Sequence, residues 1–95
     1  MRWLNTLTWA IEVTDTALRQ IEKLDHTVQR RIWKYLNERV VPLENPRKLG
    51  EPLQGERFGE FWRYRVGDYR LITKIEDERL VILVLRVGHR REVYR

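Results

Sequence analysis

The chain has no cysteine and no serine, which excludes a disulfide framework, a cysteine-ligated zinc and a serine nucleophile. Its two histidines, His26 and His89, stand far apart in sequence, and no Asp, Glu and His residues fall at ligand spacing, so neither a metal nor a cofactor is expected. No glycine-rich phosphate loop opens a helix. No apolar run nears the ~20 residues of a membrane span, and residues 1–10 lack the apolar stretch of a signal peptide, so the expected compartment is the cytoplasm and no membrane partner is expected. Proline is scarce and clustered: Pro42, Pro46 and Pro52 all fall within one short connector.

What is present fits one small core. At 95 residues a second core has no room, and 42% hydrophobic with 11% aromatic residues is enough for one. Lysine and arginine total 19 against 14 acidic residues, a net charge of +5 with a sequence pI near 10.0. Most of the excess is arginine, whose planar guanidinium grips phosphate or carboxylate through two parallel hydrogen bonds, so a polyanionic partner is plausible.

Residues 1–8 are read as an N-terminal extension and 9–95 as a single domain. Trp9, Ile11 and Val13 alternate with Ala10, Glu12 and Thr14 at the strand period of two. From Asp15 the period becomes helical, with Ala17, Leu18, Ile21 and Leu24 on one face and Thr14 or Asp15 as cap. A break at Asp25 and His26 precedes Thr27 as a second cap, and then Val28, Ile32, Trp33, Leu36 and Val40 at helical spacing. The three prolines, with Gly50 and Gly55, then exclude a long helix or a central strand, and regular structure resumes near Phe58. Residues 61–66 and 69–75 flank Gly67-Asp68, a two-residue hairpin loop. After a reversal at Asp77-Glu78, the aliphatic run from Leu80 to Val87 suits a strand covered on both faces. The expected fold is α+β, an N-terminal strand and a helical hairpin packed on a small antiparallel sheet. Trp3, Trp9, Trp33 and Trp62 read as core or interface aromatics, and His26 as a surface residue.

The hairpin register sorts the side chains. If Gly67-Asp68 is the loop, Val66 opposes Tyr69, Arg65 opposes Arg70, Tyr64 opposes Leu71, Arg63 opposes Ile72 and Phe61 opposes Lys74. Trp62, Tyr64, Val66, Tyr69 and Leu71 then pack under the helices, and Arg63, Arg65, Arg70 and Lys74 emerge on the other side. Directly opposed like charges cost a sheet up to about 1 kcal/mol, so the pattern points to an anion rather than to a merely solvated face. Arg86, His89, Arg90, Arg91 and Arg95 crowd the tail around Gly88 and Tyr94, placing it to fold over the end of that face. From the residues alone, Tyr94 is either a packed terminal aromatic or a functional phenol.

The segments WRYRVGDYRLI (62–72) and LRVGHRREVY (85–94), preceded by a strand and a helical hairpin, resemble RelE-type toxins of bacterial toxin-antitoxin pairs over residues 9–95. The resemblance implies a metal-independent endoribonuclease that cuts messenger RNA in the ribosomal A site. It also implies neutralisation by a cognate RelB-like or other small antitoxin, and operator DNA binding only together with that antitoxin. In the family pattern two basic strand residues correspond to Arg63 and Arg65, a post-turn arginine to Arg70, a tail arginine to Arg90 and a late tyrosine to Tyr94. The tail is about two residues shorter here, so Arg91 competes with Arg90, and arginines stand where the best-known members have lysines. Catalytic roles are thereby expected for Arg63, Arg65 and Arg70 in charge stabilisation, Arg90 in positioning, Tyr94 as base, and His89 or Arg65 as acid. Lys74, Arg86 and Arg91 are expected to join Arg63, Arg65 and Arg70 in holding RNA. Two other readings share the sequence: a ParE-like toxin that poisons DNA gyrase without catalysis, and a small nucleic-acid-binding module.

Overall fold

The computed structural model describes residues 9–53 and 61–94. The extension at 1–8 with Trp3, the resumption near Phe58 and Arg95 lie outside the described residues. The described chain runs β1 (Ala10–Val13), α1 (Asp15–Glu22), α2 (His26–Tyr35), a π-helical turn at Leu36–Val40, a 3-10 turn at Pro46–Lys48, β2 (Glu51–Pro52), β3 (Phe61–Val66), β4 (Tyr69–Glu76) and β5 (Val81–His89). The five strands form one sheet in the order β1-β5-β4-β3-β2.

Thr14 is the residue that turns strand into helix. Its hydroxyl accepts from the Ala17 amide at 3.1 Å, capping α1, and donates to the Leu85 carbonyl at 3.1 Å. β1 runs parallel to β5 and ends its pairing at Val13↔Val84, so the edge of β5 beyond that point needs other partners. Thr14 supplies one and Gln20 of α1 another, its Oε1 accepting from the Val87 amide at 2.7 Å. The small antiparallel sheet expected from the sequence is present, and β1 joins it as a parallel edge strand. The second cap is corrected: α2 starts at His26 behind Asp25, which leaves Thr27 inside the first turn and His26 exposed on the helix.

The core lies between the helices and one sheet face, built from Trp9, Ala17, Ile21, Ile32, Leu36, Val40, Tyr64, Leu71, Ile82 and their neighbours, with Trp33 and Trp62 packed against it. Leu18 departs from its expected burial and stays exposed. The hairpin register agrees at every pair from Phe61↔Lys74 to Val66↔Tyr69, with Gly67 at φ 59° in the first loop position. β5 is interior, between β1 and β4, as its aliphatic run implies. The connector proves more ordered than its prolines suggest. Trp62 Nε1 donates to the Leu49 carbonyl at 2.7 Å, and Gly50 takes φ 76° where a Cβ would stand 2.3 Å from the Arg63 carbonyl oxygen. This close approach seats β2 against β3, with Pro52 tolerated because the strand is an edge.

Tyr64 is fully buried and its hydroxyl donates to the Pro46 carbonyl at 2.7 Å, while its ring meets Tyr35 edge-on at 6.1 Å. Burial pushes the Tyr64 phenol well above its ordinary pKa, and Tyr35 follows in the same direction. The unfolded chain exposes a phenol that ionises near pH ~10, so Tyr64's stabilising contribution is complete below that pH and is lost as pH rises from there. In urea unfolding, the midpoint is expected to fall steeply above pH ~10. Tyr64→Phe should lose ~1–2 kcal/mol at neutral pH, because the Pro46 carbonyl loses its donor, and should flatten part of the alkaline fall.

Candidate nucleic-acid interface

Alternation along β3 and β4 puts Arg63, Arg65 and Arg70 on the sheet face away from the helices, with Arg65 and Arg70 directly paired. The face is not purely basic. Arg63 opposes Ile72 and Lys74 opposes Phe61, so a strip of apolar side chains runs beside the guanidiniums. At Leu85 the β4–β5 pairing slips by one residue, between Ile72↔Arg86 and Thr73↔Val84. Leu85 and Arg86 both line a cleft of about 690 Å³, shared with Thr14, Phe61, Ile72 and the Arg63 and Tyr94 side chains.

The tail closes over this strip. The Arg90 amide donates to the Asp68 carbonyl at 2.8 Å, the Val93 amide to the His89 carbonyl at 2.9 Å, and Arg86 Nη1 to the Val93 carbonyl at 3.1 Å. Val93 is 3% exposed and Ile72 7%, although both sit on the face away from the main core. Gly88 lets the tail approach β5, since a Cβ there would lie 3.3 Å from Val93 Cα. Tyr94, half exposed, is thereby delivered to the arginines, and its hydroxyl accepts from Arg63 Nη1 at 3.0 Å.

Glu51, which sequence reasoning left in the connector, stands at the centre of the arginine pair. Its carboxylate accepts from Arg63 Nη2 and lies 3.4 Å from Arg65 Nη2. The signal that could have found it is its register opposite Arg63, visible only once β2 is known to pair with β3. Arg70 turns its Nη1 onto the Gly67 and Tyr69 carbonyls, each at 3.0 Å. Desolvation, the charge of Arg65, and then those of Arg63 and Arg90 hold Arg70 below the usual guanidinium range, with Tyr94 acting in the opposite sense. Arg63 moves the other way, raised first by its hydrogen bond to Tyr94 and then by Glu51, against desolvation. A cation held down by its neighbours is relieved when an anion arrives, so this geometry can bind and neutralise a phosphate group.

The structure thus gathers Arg63, Arg65, Arg70 and Tyr94, with Arg90 near enough to act on Arg70 and 4.0 Å from Asp68. His89 does not join them, and its expected place beside the arginines is corrected. It pairs with Tyr69, meets that ring edge-on at 5.8 Å and accepts the Arg91 amide on Nδ1 at 3.2 Å, on the helix-side face. Lys74 lies further along the arginine face, Arg86 lines the cleft and is exposed, and Arg91 is exposed in the tail.

A family model described as ParE toxin of type II toxin-antitoxin system, parDE, matches residues 11–94. The chain is 32% identical over 87 residues to Toxin RelG of Mycobacterium tuberculosis, covering 92% of this chain and 97% of that protein. It is 32% identical over 90 residues to the mRNA interferase toxin RelE of Escherichia coli, covering 93% and 92%. The toxin-antitoxin complex RelBE2 of M. tuberculosis contains a chain that superposes with a TM-score of 0.78 at 28% identity, covering 90% of this chain and 94% of that one.

The anchoring of the tail predicts that Val93→Ala costs about 2 kcal/mol in chemical denaturation, from two lost methyl groups and the gap they leave. The same variant should lower the backbone 15N heteronuclear NOE at Tyr94 while leaving β3 unchanged.

Proposed function

Because this chain belongs to the RelE/ParE superfamily and is a RelE-type toxin of a type II toxin-antitoxin system, we propose that it acts as an endoribonuclease on messenger RNA in the ribosomal A site. The observation that carries this reading is the phenol of Tyr94 held at 3.0 Å by Arg63, beside the opposed pair Arg65 and Arg70. A surface that only binds a protein has no need to orient a phenol among guanidiniums.

The reaction is transesterification within the RNA. The 2'-oxygen attacks the adjacent phosphorus in line, the bond from phosphorus to the 5'-oxygen breaks, and the products are a 2',3'-cyclic phosphate and a free 5'-hydroxyl. The Tyr94 oxygen, oriented by Arg63 and acting in its phenolate form, takes the 2'-proton as the new bond forms and is left as the neutral phenol. Arg63, Arg65 and Arg70 stabilise the charge that builds on the phosphorane oxygens, and Arg90 positions the chain from the tail. With His89 on the other face, charge stabilisation replaces an imidazole acid at the 5'-oxygen, which takes its proton from water. Lys74, Arg86 and Arg91 extend the basic surface for further phosphates and for ribosomal RNA, so binding should depend steeply on salt.

Such a set of groups orients and neutralises but provides no strong acid, so a bent substrate is needed, and the ribosome supplies it. A RelB-like or other small antitoxin is the proposed partner, with operator DNA bound only in its company, and the cytoplasm is the proposed compartment. Among the described residues no helix is long and apolar enough to cross a membrane. Residues 1–8 are proposed to be an extension outside the 9–95 domain. The family model's description as a ParE toxin favours one second reading, a non-catalytic toxin acting on DNA gyrase.

Primer extension on a defined message in a reconstituted translation system separates them. Wild type should give ribosome-dependent cuts, Arg70→Ala should lose ~10²–10³-fold, and Tyr94→Phe ~10²–10⁴-fold. Full cleavage by Tyr94→Phe would remove the base role. An absence of cuts under all conditions would transfer the assignment to the gyrase reading, to be taken up with a supercoiling assay.

A further inference from the structure

Arg63 offers its anion-binding edge to a partner that only half fills it. Nη1 donates to Tyr94 and Nη2 to Glu51, while Nε is buried with no hydrogen-bond partner among the described residues. Guanidinium holds a carboxylate or phosphate best through two parallel N–H groups, here Nε and Nη2. Glu51 meets Nη2 alone, because its second contact is spent on Arg65. A buried donor left unpaired in a native structure marks a place where another acceptor belongs.

The position of Glu51 makes exchange easy. It comes from β2, a two-residue edge strand, and its side chain is about half exposed, so it can swing into water without losing much solvation. Deeper in the cluster, the charged and titratable groups acting on Arg70 are Arg65, Arg63, Arg90 and the Tyr94 phenol. The arginine face therefore carries its compensating charge at the rim, where it can leave.

We propose that Glu51 is an internal anion occupying the phosphate seat of the empty protein, and that an RNA backbone phosphate binds by displacing it from between Arg63 and Arg65. The inference rests on the RNA reading of this face and adds how the seat is filled before substrate arrives. A phosphate can present one oxygen to Nη2 and a second to Nε, completing the fork that Glu51 leaves incomplete, and still reach Arg65. Glu51 thereby sets a threshold. Isolated anions compete poorly with a tethered carboxylate, whereas a strand delivering several phosphates in register does not.

The test uses a fluorescein-labelled single-stranded RNA that is 2'-O-methylated throughout and so cannot be cleaved, with binding read by anisotropy at low salt. Glu51→Gln, which keeps the shape and removes the charge, should bind about fivefold to tenfold more tightly than wild type. The gap should narrow as salt rises, because the ion pair being exchanged is partly exposed and screened. Arg63→Ala should bind more weakly than both. If Glu51→Gln gains nothing while Arg63→Ala loses affinity, the exchange is wrong and the RNA reading stands; if Arg63→Ala also binds as wild type does, the RNA reading of this face falls and the exchange with it. A second measurement needs no folded variant of Glu51. In wild-type protein, the Arg63 Nε–H resonance, assigned by its disappearance in Arg63→Lys, should shift downfield on titration with the same oligonucleotide, and a stationary resonance would overturn the proposal.

Discussion

The two-residue loop at Gly67-Asp68 is the constraint on which the rest depends, because it fixes which side chains of β3 and β4 share a face. A slip of one residue would carry Tyr64 and Leu71 out to solvent and bring Arg63 and Arg65 into the core, at the cost of burying unpaired charge. Hydrophobic burial on the helix side thus enforces the guanidinium cluster on the other. The cluster is locally unfavourable, with Arg65 opposed to Arg70 and Arg70 depressed by desolvation and then by the charges beside it. What makes it tolerable is compensation brought from distant parts of the chain: Glu51 from the connector and the Tyr94 oxygen from the tail.

Those two visitors reach the site by different means. Glu51 arrives because Gly50 can adopt a conformation and a closeness to the Arg63 backbone that no other residue tolerates, while Trp62 ties the same segment down. Tyr94 arrives because Val93 is buried beside Ile72 and Arg86 clasps the tail backbone. A small second core on the outer face therefore underlies the functional geometry. The sheet is covered on one side by helices and, around Ile72, on the other by the tail.

What could be read from the sequence was what is encoded locally. The hairpin register follows from a turn and alternation within sixteen residues, and all of its pairs agree with the structure. The first helix follows from periodicity and a capping threonine. Features that the sequence left open or misplaced depend on contacts that are remote in sequence or on a single irregularity. β1 pairs in parallel with a strand about seventy residues away, and nothing in its own residues states the direction. Glu51 looks like any loop carboxylate until β2 is seated. His89 was expected among the arginines because it adjoins Arg90, but the extra residue at Leu85 resets the alternation along β5 and turns it toward Tyr69. Thr27 has the chemistry of a cap, yet Asp25 takes that position, and the helix begins two residues earlier than the threonine would allow.

The arrangement also bears on what separates the nuclease reading from the purely binding one. The sheet, the helical hairpin and the hairpin register specify a rigid basic ribbon and nothing more; chemistry needs a proton acceptor at a fixed distance from that ribbon. In this chain the acceptor proposed here, the Tyr94 oxygen, lies outside the regular elements and is held by one buried valine and one guanidinium. Loss of those few tail contacts would leave the fold intact and the ribbon still cationic, able to bind but without an oriented phenol. Arginine at positions 63 and 65 pushes in the same direction, since a guanidinium supplies charge without readily giving up a proton. On the proposed nuclease reading, such a protein depends on its substrate being bent for it, and the weaker its own acid and base, the more completely its activity is confined to the place where the bending happens.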